Sequence, residues 1–306
     1  MKKISTLMTE MRNPNSMAID TMSTMDILKT INTEDMTVAQ KVREVLPEVE
    51  EVVDIVQDRL KRGGKLFYVG AGTSGRIGIQ DAVECPPTFS TPPTVVQAVI
   101  AGGTGAFVEA VEGAEDDEAL GASDLKERNL TALDVVVGIA ASGRTPYVIG
   151  ALKYAQEVGA VTVSLANNKN SVISQYAQIN IEVATGPEVL TGSTRMKAAT
   201  AQKMILNMIT TASMIKMGKV YENLMVDLKV SNQKLKERAK NIVSTITEVS
   251  VEKAKVVLEK TNYEVKPAIV MIKADVTFEE AKKYIQEADG FVREAIRLAN
   301  GGGNRL

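Results

Sequence analysis

Apolar positions along the chain fall into two regimes. Between residues 66 and 183, nearly continuous apolar runs at 66–69, 95–100, 135–139, 161–165 and 179–183 alternate with helical spacing at 77–83, 106–128 (broken at Gly113) and 147–158, and with a short turn near 171–176. Unbroken apolar strands joined by helical crossovers predict a parallel sheet covered on both faces. Ahead of them, Val42, Val45, Val49, Val52, Val53, Val56 and Leu60 recur at helical spacing over 38–60, and the basic, glycine-bearing run 61–64 ends that helix. After them, 194–217 reads as one long helix rich in Met and Ala, whose stripe suits a core or a dimer interface. Beyond Gly218 the strand signals stop. The stretches 226–240, 242–258, 265–273 and 278–298 are helix-like, and Thr277 with Glu280 fits a capping box.

The expected fold is α/β: a doubly wound parallel five-stranded sheet with an N-terminal helical arm and a small C-terminal all-helical appendage. The expected division is 1–56 for the arm and first helix, 57–220 for the sheet domain and 221–306 for the appendage. Residues 1–34, with weak periodicity, read as an arm that packs on something else, a partner subunit among the candidates. The glycine-rich tail 301–306 reads as disordered.

Composition then removes whole classes of chemistry. The 306 residues contain no histidine, which excludes Ser-His-Asp and Cys-His catalysis and every histidine-ligated metal site. Acid–base work near neutral pH is left to carboxylates, Lys, Tyr or Cys85, the single cysteine. One thiol allows no intramolecular disulfide, which fits a cytoplasmic protein. A net charge of −2 argues against a nucleic-acid surface. No apolar run approaches the ~20 residues of a membrane span.

The first apolar run stops at Gly70, Gly72 and Gly75, and helix-compatible residues follow. Strand, glycine turn and helix N-terminus make an anion site, to which Thr73 and Ser74 add hydroxyls. The spacing also satisfies a dinucleotide fingerprint, but the second run, 95–100, ends in Ala-Gly-Gly without the carboxylate that would hold a ribose. A Walker A reading fails because Arg76 stands where Gly-Lys-Ser/Thr is needed. A second loop of the same kind, Gly-Ile-Ala-Ala-Ser-Gly-Arg-Thr-Pro at 138–146, follows the third run. In strand order 2-1-3-4-5 the two loops flank one crevice, which suits a compact phosphorylated ligand. Gly72, Thr73, Ser74, Gly75 and Arg76 from the first loop, and Ser142, Gly143, Arg144 and Thr145 from the second, are the candidate phosphate ligands. The plainer reading is that these residues only make tight strand–helix turns.

Glu84 precedes Pro86 and Pro87, which should force the chain out of the helix there; alone, a helix-end Glu is solvated surface. Glu115 lies in an acidic run, 112–118, that a helix N-terminus would favour. Thr194, Arg195 and Lys197 open the long helix, where cations oppose the dipole; a nearby carboxylate or anionic ligand would explain them, as would simple solvation.

The two loops resemble the sugar isomerase (SIS) domain, which binds phosphosugars. Flanking stretches are similar to one family within it, the N-acetylmuramic acid 6-phosphate etherases: Arg-Asn-Pro at 12–14, Asp20 with Ser23 and Thr24, the loop at 68–76, Glu-Cys-Pro-Pro-Thr-Phe at 84–89, Ile-Ala-Gly-Gly at 100–103, the acidic run from 110 to 117 and Thr-Gly-Ser-Thr-Arg-Met-Lys-Ala at 191–198. Many phosphosugar isomerase domains carry Ser-x-Ser-Gly-x-Thr in the second loop; here Ala140 replaces the first hydroxyl. The resemblance implies an SIS domain over 57–220 and a cofactor-independent, metal-independent lyase that eliminates D-lactate and adds water. It picks out Glu84 as acid and Glu115 as base. The implied substrate is a phosphorylated amino sugar; the arm and the long apolar helix point to a homodimer, and the charge balance and short apolar runs to neither nucleic acid nor membrane as partner. A phosphosugar isomerase and a non-catalytic phosphosugar-binding regulator remain the alternatives.

Overall fold

The computed structural model describes residues 7–109, 111–228, 230 and 232–301; the tail expected to be disordered lies, from 302, outside the described residues. The chain forms two compact units. One comprises residues up to 83 together with 93–210; the other comprises 84–92 and the chain from 211.

In the first unit, α1 (Thr24–Asp35), α2 (Val38–Arg43) and α3 (Leu46–Lys61) precede the sheet. The single helix expected over 38–60 is two, because Pro47 cannot donate into a running helix and instead opens α3 within its first turn. Then follow β1 (Leu66–Gly70), α4 (Gly72–Phe89), β2 (Val96–Ile100), α5 (Glu118–Glu127), β3 (Val135–Ala140), α6 (Pro146–Val158), β4 (Val161–Ala166), β5 (Ile179–Glu182) and α7 (Lys197–Lys216), with residues 84–89 of α4 and 211–216 of α7 counted in the second unit. All five strands pair in parallel, in the order β2-β1-β3-β4-β5. Every residue of β1 and β3 is buried, as apolar faces on both sides require. Gly70 stands opposite both Ile100 and Ile139, so the loops after β1 and β3 leave the same sheet edge about one strand spacing apart.

The described part of the arm packs on its own chain: Asn13 Nδ2 donates to the Pro187 carbonyl, Ser16 Oγ to that of Val189, and Met8 N–H to Asn168 Oδ1.

Two expectations around the site are corrected. Helix α4 does not end before Pro86; it runs through both prolines to Phe89. Ala82, Cys85 and Phe89, spaced three and four apart, are all buried, and this apolar face holds the helix despite the missing N–H groups. Glu84 therefore sits inside a helix, not at its end. The helix expected over 106–128 is also reduced. Gly113 adopts φ +76°, and only one-turn 3-10 segments at 104–107 and 114–116 precede α5.

The second unit is helical, with a minimal hairpin of β6 (Val220–Tyr221) and β7 (Leu224–Met225) where no strand was expected. Its helices are α8 (Gln233–Thr247), α9 (Val251–Lys260), α10 (Val265–Ala274), α11 (Phe278–Glu287) and α12 (Val292–Ala299). Asn232 and Ser250 cap α8 and α9, shifting both from the ranges read off periodicity. The capping box of Thr277 and Glu280 is present. Gly290, at φ +85°, divides the expected 278–298 helix into α11 and α12. Among the described residues no helix is long and apolar enough to cross a membrane.

Candidate active site

The first loop owes its glycines to close approach. A Cβ on Gly75 would fall 2.6 Å from Ile100 Cγ1 and 2.8 Å from the Gly70 carbonyl oxygen. Helix α4 thus starts directly against the end of β1. Its first intrahelical bond runs from Gly75 N–H to the Ala71 carbonyl (3.2 Å). The N–H groups of Gly72, Thr73 and Ser74 precede that bond and are the open donors of the helix start.

Gly72 and Arg76 from this loop meet Glu115 in one cleft of about 180 Å³, together with Glu112 and the backbone of Ala101 and Gly113. Glu115 is exposed on the 114–116 turn. Arg76 donates from Nε to the Phe107 carbonyl (3.0 Å) and from Nη2 to that of Ala106 (2.9 Å), so this arginine braces the segment leading to Glu115. Asp117 caps α5 by accepting from Leu120 N–H, which accounts for one member of the acidic run without chemistry.

The second loop leads to a different cavity, of about 600 Å³, lined by Ser142 and Arg144 with Asn168, Lys169, Ser171 and Gln175. Asn168 Nδ2 donates to the Ala141 carbonyl, and Ile173 N–H to that of Gly143, fastening this loop to the one after β4. Thr145 occupies the N-cap position of α6, yet its side chain makes no capping bond, so helix capping does not explain the hydroxyl. Ser74 and Gly75 are buried, and Thr73, Ser74, Gly75, Gly143 and Thr145 line neither cavity. Glu84 is exposed on α4 and also lines neither.

Three contributions escaped the sequence. Glu112 shares the cleft of Glu115. Asn168 and Lys169 join the second cavity, and only their place after the fourth apolar run pointed to the site edge. The third is Asp81, buried on α4, which accepts hydrogen bonds from Tyr68 Oη (2.9 Å), Thr210 Oγ1 (3.1 Å) and Asn207 Nδ2, tying the helix to β1 and α7. Burial raises its carboxyl above the usual range, although the three donors oppose this. A raised acid favours the folded state when protonated, so its contribution falls as pH rises from about 3.8. Asp81→Asn should remove that fall. Denaturant unfolding at pH 4 and pH 7 should show wild type losing more stability than the variant between the two.

Of the cations at the start of the long helix, Lys197 receives a structural explanation. Thr194 and Arg195 lie before α7, which begins at Lys197. Lys197 is buried and its Nζ pairs with Glu34 Oε2, while Glu188 accepts the N–H groups of Lys197 and Ala198, both at 2.9 Å. A carboxylate, not solvent, holds this lysine.

Comparison with known proteins accords with this architecture. A model for the N-terminal SIS domain of glucokinase regulatory protein matches residues 44–156, the SIS domain matches 118–212, and the C-terminal lid domain of glucokinase regulatory protein matches 222–290. The chain is 56% identical over 295 residues to N-acetylmuramic acid 6-phosphate etherase 1 of Bacillus licheniformis, covering 96% of this chain and 97% of that protein. It is 56% identical to the etherase of Geobacillus thermodenitrificans (95% and 98% covered) and 54% identical to that of Bacillus subtilis (95% and 95%). The chain belongs to the N-acetylmuramic acid 6-phosphate etherase family. Among solved structures, a phosphoheptose isomerase from Neisseria gonorrhoeae matches 62% of this chain and 98% of its own length at 17% identity, with a TM-score of 0.49.

Proposed function

We propose that this chain is a carbon–oxygen lyase that cleaves the D-lactyl ether of N-acetylmuramic acid 6-phosphate, giving N-acetylglucosamine 6-phosphate and D-lactate. Its near-full-length identity to several etherases carries this reading. In the open-chain sugar the C2 proton lies alpha to the C1 aldehyde and is acidic. Glu115 takes that proton, the C2–H electron pair becomes the C2=C3 double bond, and the C3–O bond breaks. Glu84 protonates the departing lactate oxygen. Water then adds at C3, its proton passing to Glu84, and C2 regains a proton from Glu115. Two carboxylates divide the acid and base roles that histidine would otherwise fill.

The second loop, with Ser142, Gly143, Arg144, Thr145 and the start of α6, takes the phosphate at the C6 end. Gly72, Thr73, Ser74, Gly75 and Arg76 of the first loop add donors for the sugar phosphate, and Gly72 and Arg76 share a cleft with Glu115. The division into arm (1–56), phosphosugar domain (57–220) and helical subdomain (221–306), a homodimer, and a cytoplasmic setting in cell-wall sugar recycling complete the proposal. Exposed Phe107, Val108 and Val111, on the segment that leads to Glu115, support a second copy covering this face.

Incubating the protein with the muramic acid phosphate and assaying D-lactate tests the reaction. Equimolar lactate and N-acetylglucosamine 6-phosphate are expected. Sugar isomerisation without lactate would establish the isomerase instead. Binding without turnover would favour the regulator that two of the matching family models are named for.

A further inference from the structure

The helical unit holds a cavity of about 680 Å³, within the size range of organic-ligand sites. Neither glycine loop contributes to it, and neither Glu84 nor Glu115 is among its lining residues. Its walls include Val226, Leu228, Val265 and Ile285. Its distinctive charge is Lys266, in the first turn of α10, with a side chain only 9% exposed. The Lys266 ammonium lies 3.1 Å from Asp227 Oδ2, but the same oxygen receives Lys219 Nζ at 2.6 Å. Two ammonium groups thus share one carboxylate, leaving one positive charge in excess, and the N-terminal end of α10 adds to it. At the rim, exposed Glu264 and Lys282 offset each other. Burial lowers the Lys266 pKa, and Lys219 lowers it further against the attraction of Asp227. A buried lysine with a perturbed pKa, facing a partly apolar cavity, is the combination found at ligand sites.

We infer that this cavity binds an organic anion, its acid group at Lys266 and its apolar body against Val226, Leu228, Val265 and Ile285. Carboxylates and phosphate monoesters share the required chemistry. The inference stands independently of the reaction at the glycine loops, since it uses none of their residues.

Titration calorimetry on the full chain tests it, with hexanoate, hexyl phosphate, 1-hexanol and inorganic phosphate as probes. At least one hexyl anion should bind saturably at one site per chain, about tenfold or more tighter than hexanol or inorganic phosphate. The better of the two identifies the acid group. Lys266→Met should weaken that anion by about tenfold or more without weakening hexanol. Its melting temperature should not fall, because Asp227 keeps Lys219 and the excess charge is gone. A purely structural lysine would give the opposite result in both measurements. Ile285→Trp, which fills the cavity from its apolar wall, should block the anion as well and serves if the first variant does not fold. Absence of saturable hexyl-anion binding to wild type, or unchanged affinity in a folded variant, would overturn the proposal.

Discussion

In D₂O, Glu84→Ala should release D-lactate about 10²–10⁴ times more slowly than wild type yet still exchange deuterium into C2 of N-acetylglucosamine 6-phosphate. The two readouts separate the two proton transfers. Abstraction at C2 needs only the base and the adjacent aldehyde, so it survives loss of the acid. Expulsion of lactate needs a proton on a poor leaving group, so it does not. Glu115→Ala should lose both, by a similar factor. In free-energy terms a loss of 10³ is about 4 kcal/mol of transition-state stabilisation. Both glutamates are exposed, so neither variant should shift the melting temperature appreciably, and a loss of activity cannot be ascribed to unfolding. NMR of the sugar in D₂O and an enzymatic lactate assay read the outcomes. Full ether cleavage by Glu84→Ala would sink the assignment, and exchange surviving in Glu115→Ala would move the base elsewhere.

The largest effect on stability is expected at Lys197. Its Nζ pairs with Glu34 Oε2 with side chains 3% and 10% exposed, and Asn15 Nδ2 holds the other oxygen of Glu34 at 2.8 Å. Removing the cation leaves the Glu34 carboxylate buried in the last turn of α1 without its counter-charge. Breaking a buried pair from one side costs about 3–5 kcal/mol. At roughly 2–4 °C per kcal/mol for a unit of this size, Lys197→Met should melt about 6–20 °C lower by scanning calorimetry. Adding Glu34→Leu should recover most of the loss, since neither charge then remains to be buried alone. Burial pushes the Glu34 carboxyl up, but hydrogen bonds from Asn15, Lys197 and Asn13, with the lysine's charge, outweigh it and hold the pKa below 4.5. That stabilisation is present above pH 4.5 and is lost as pH falls through the lower folded value. The wild-type advantage over Lys197→Met should therefore shrink in acid. A melting temperature within a degree of wild type would mean the pair contributes nothing net.

Glu84 and Glu115 are singled out by the family resemblance, which for Glu84 rests on the specific string Glu-Cys-Pro-Pro-Thr; the absence of histidine is consistent with two carboxylates in these roles but does not select them. The sheet order was equally legible. Strands buried on both faces write themselves as continuous apolar runs, and each one found lies within a residue or two of its observed bounds. Caps are legible where two residues spell them: Thr277 with Glu280 makes a capping box, whereas Asn232 and Ser250, followed three residues on by Leu235 and Lys253, do not.

The chain by itself determined the parallel sheet, the two glycine loops on one sheet edge, and an acid–base chemistry without histidine, because periodicity, turn glycines and missing residue types are local properties. Only the tertiary structure decided that α4 continues through Pro86 and Pro87, since the burial of Cys85 and Phe89 that sustains it comes from outside the helix. It alone gave Lys197 a partner 163 residues away in Glu34. It alone brought Arg76, Gly72 and Glu115 into one cleft while giving Ser142 and Arg144 another. Spacing along the sequence records what a residue's neighbours on its own element can do; which side chains meet across elements depends on packing, and that is not written in any one stretch.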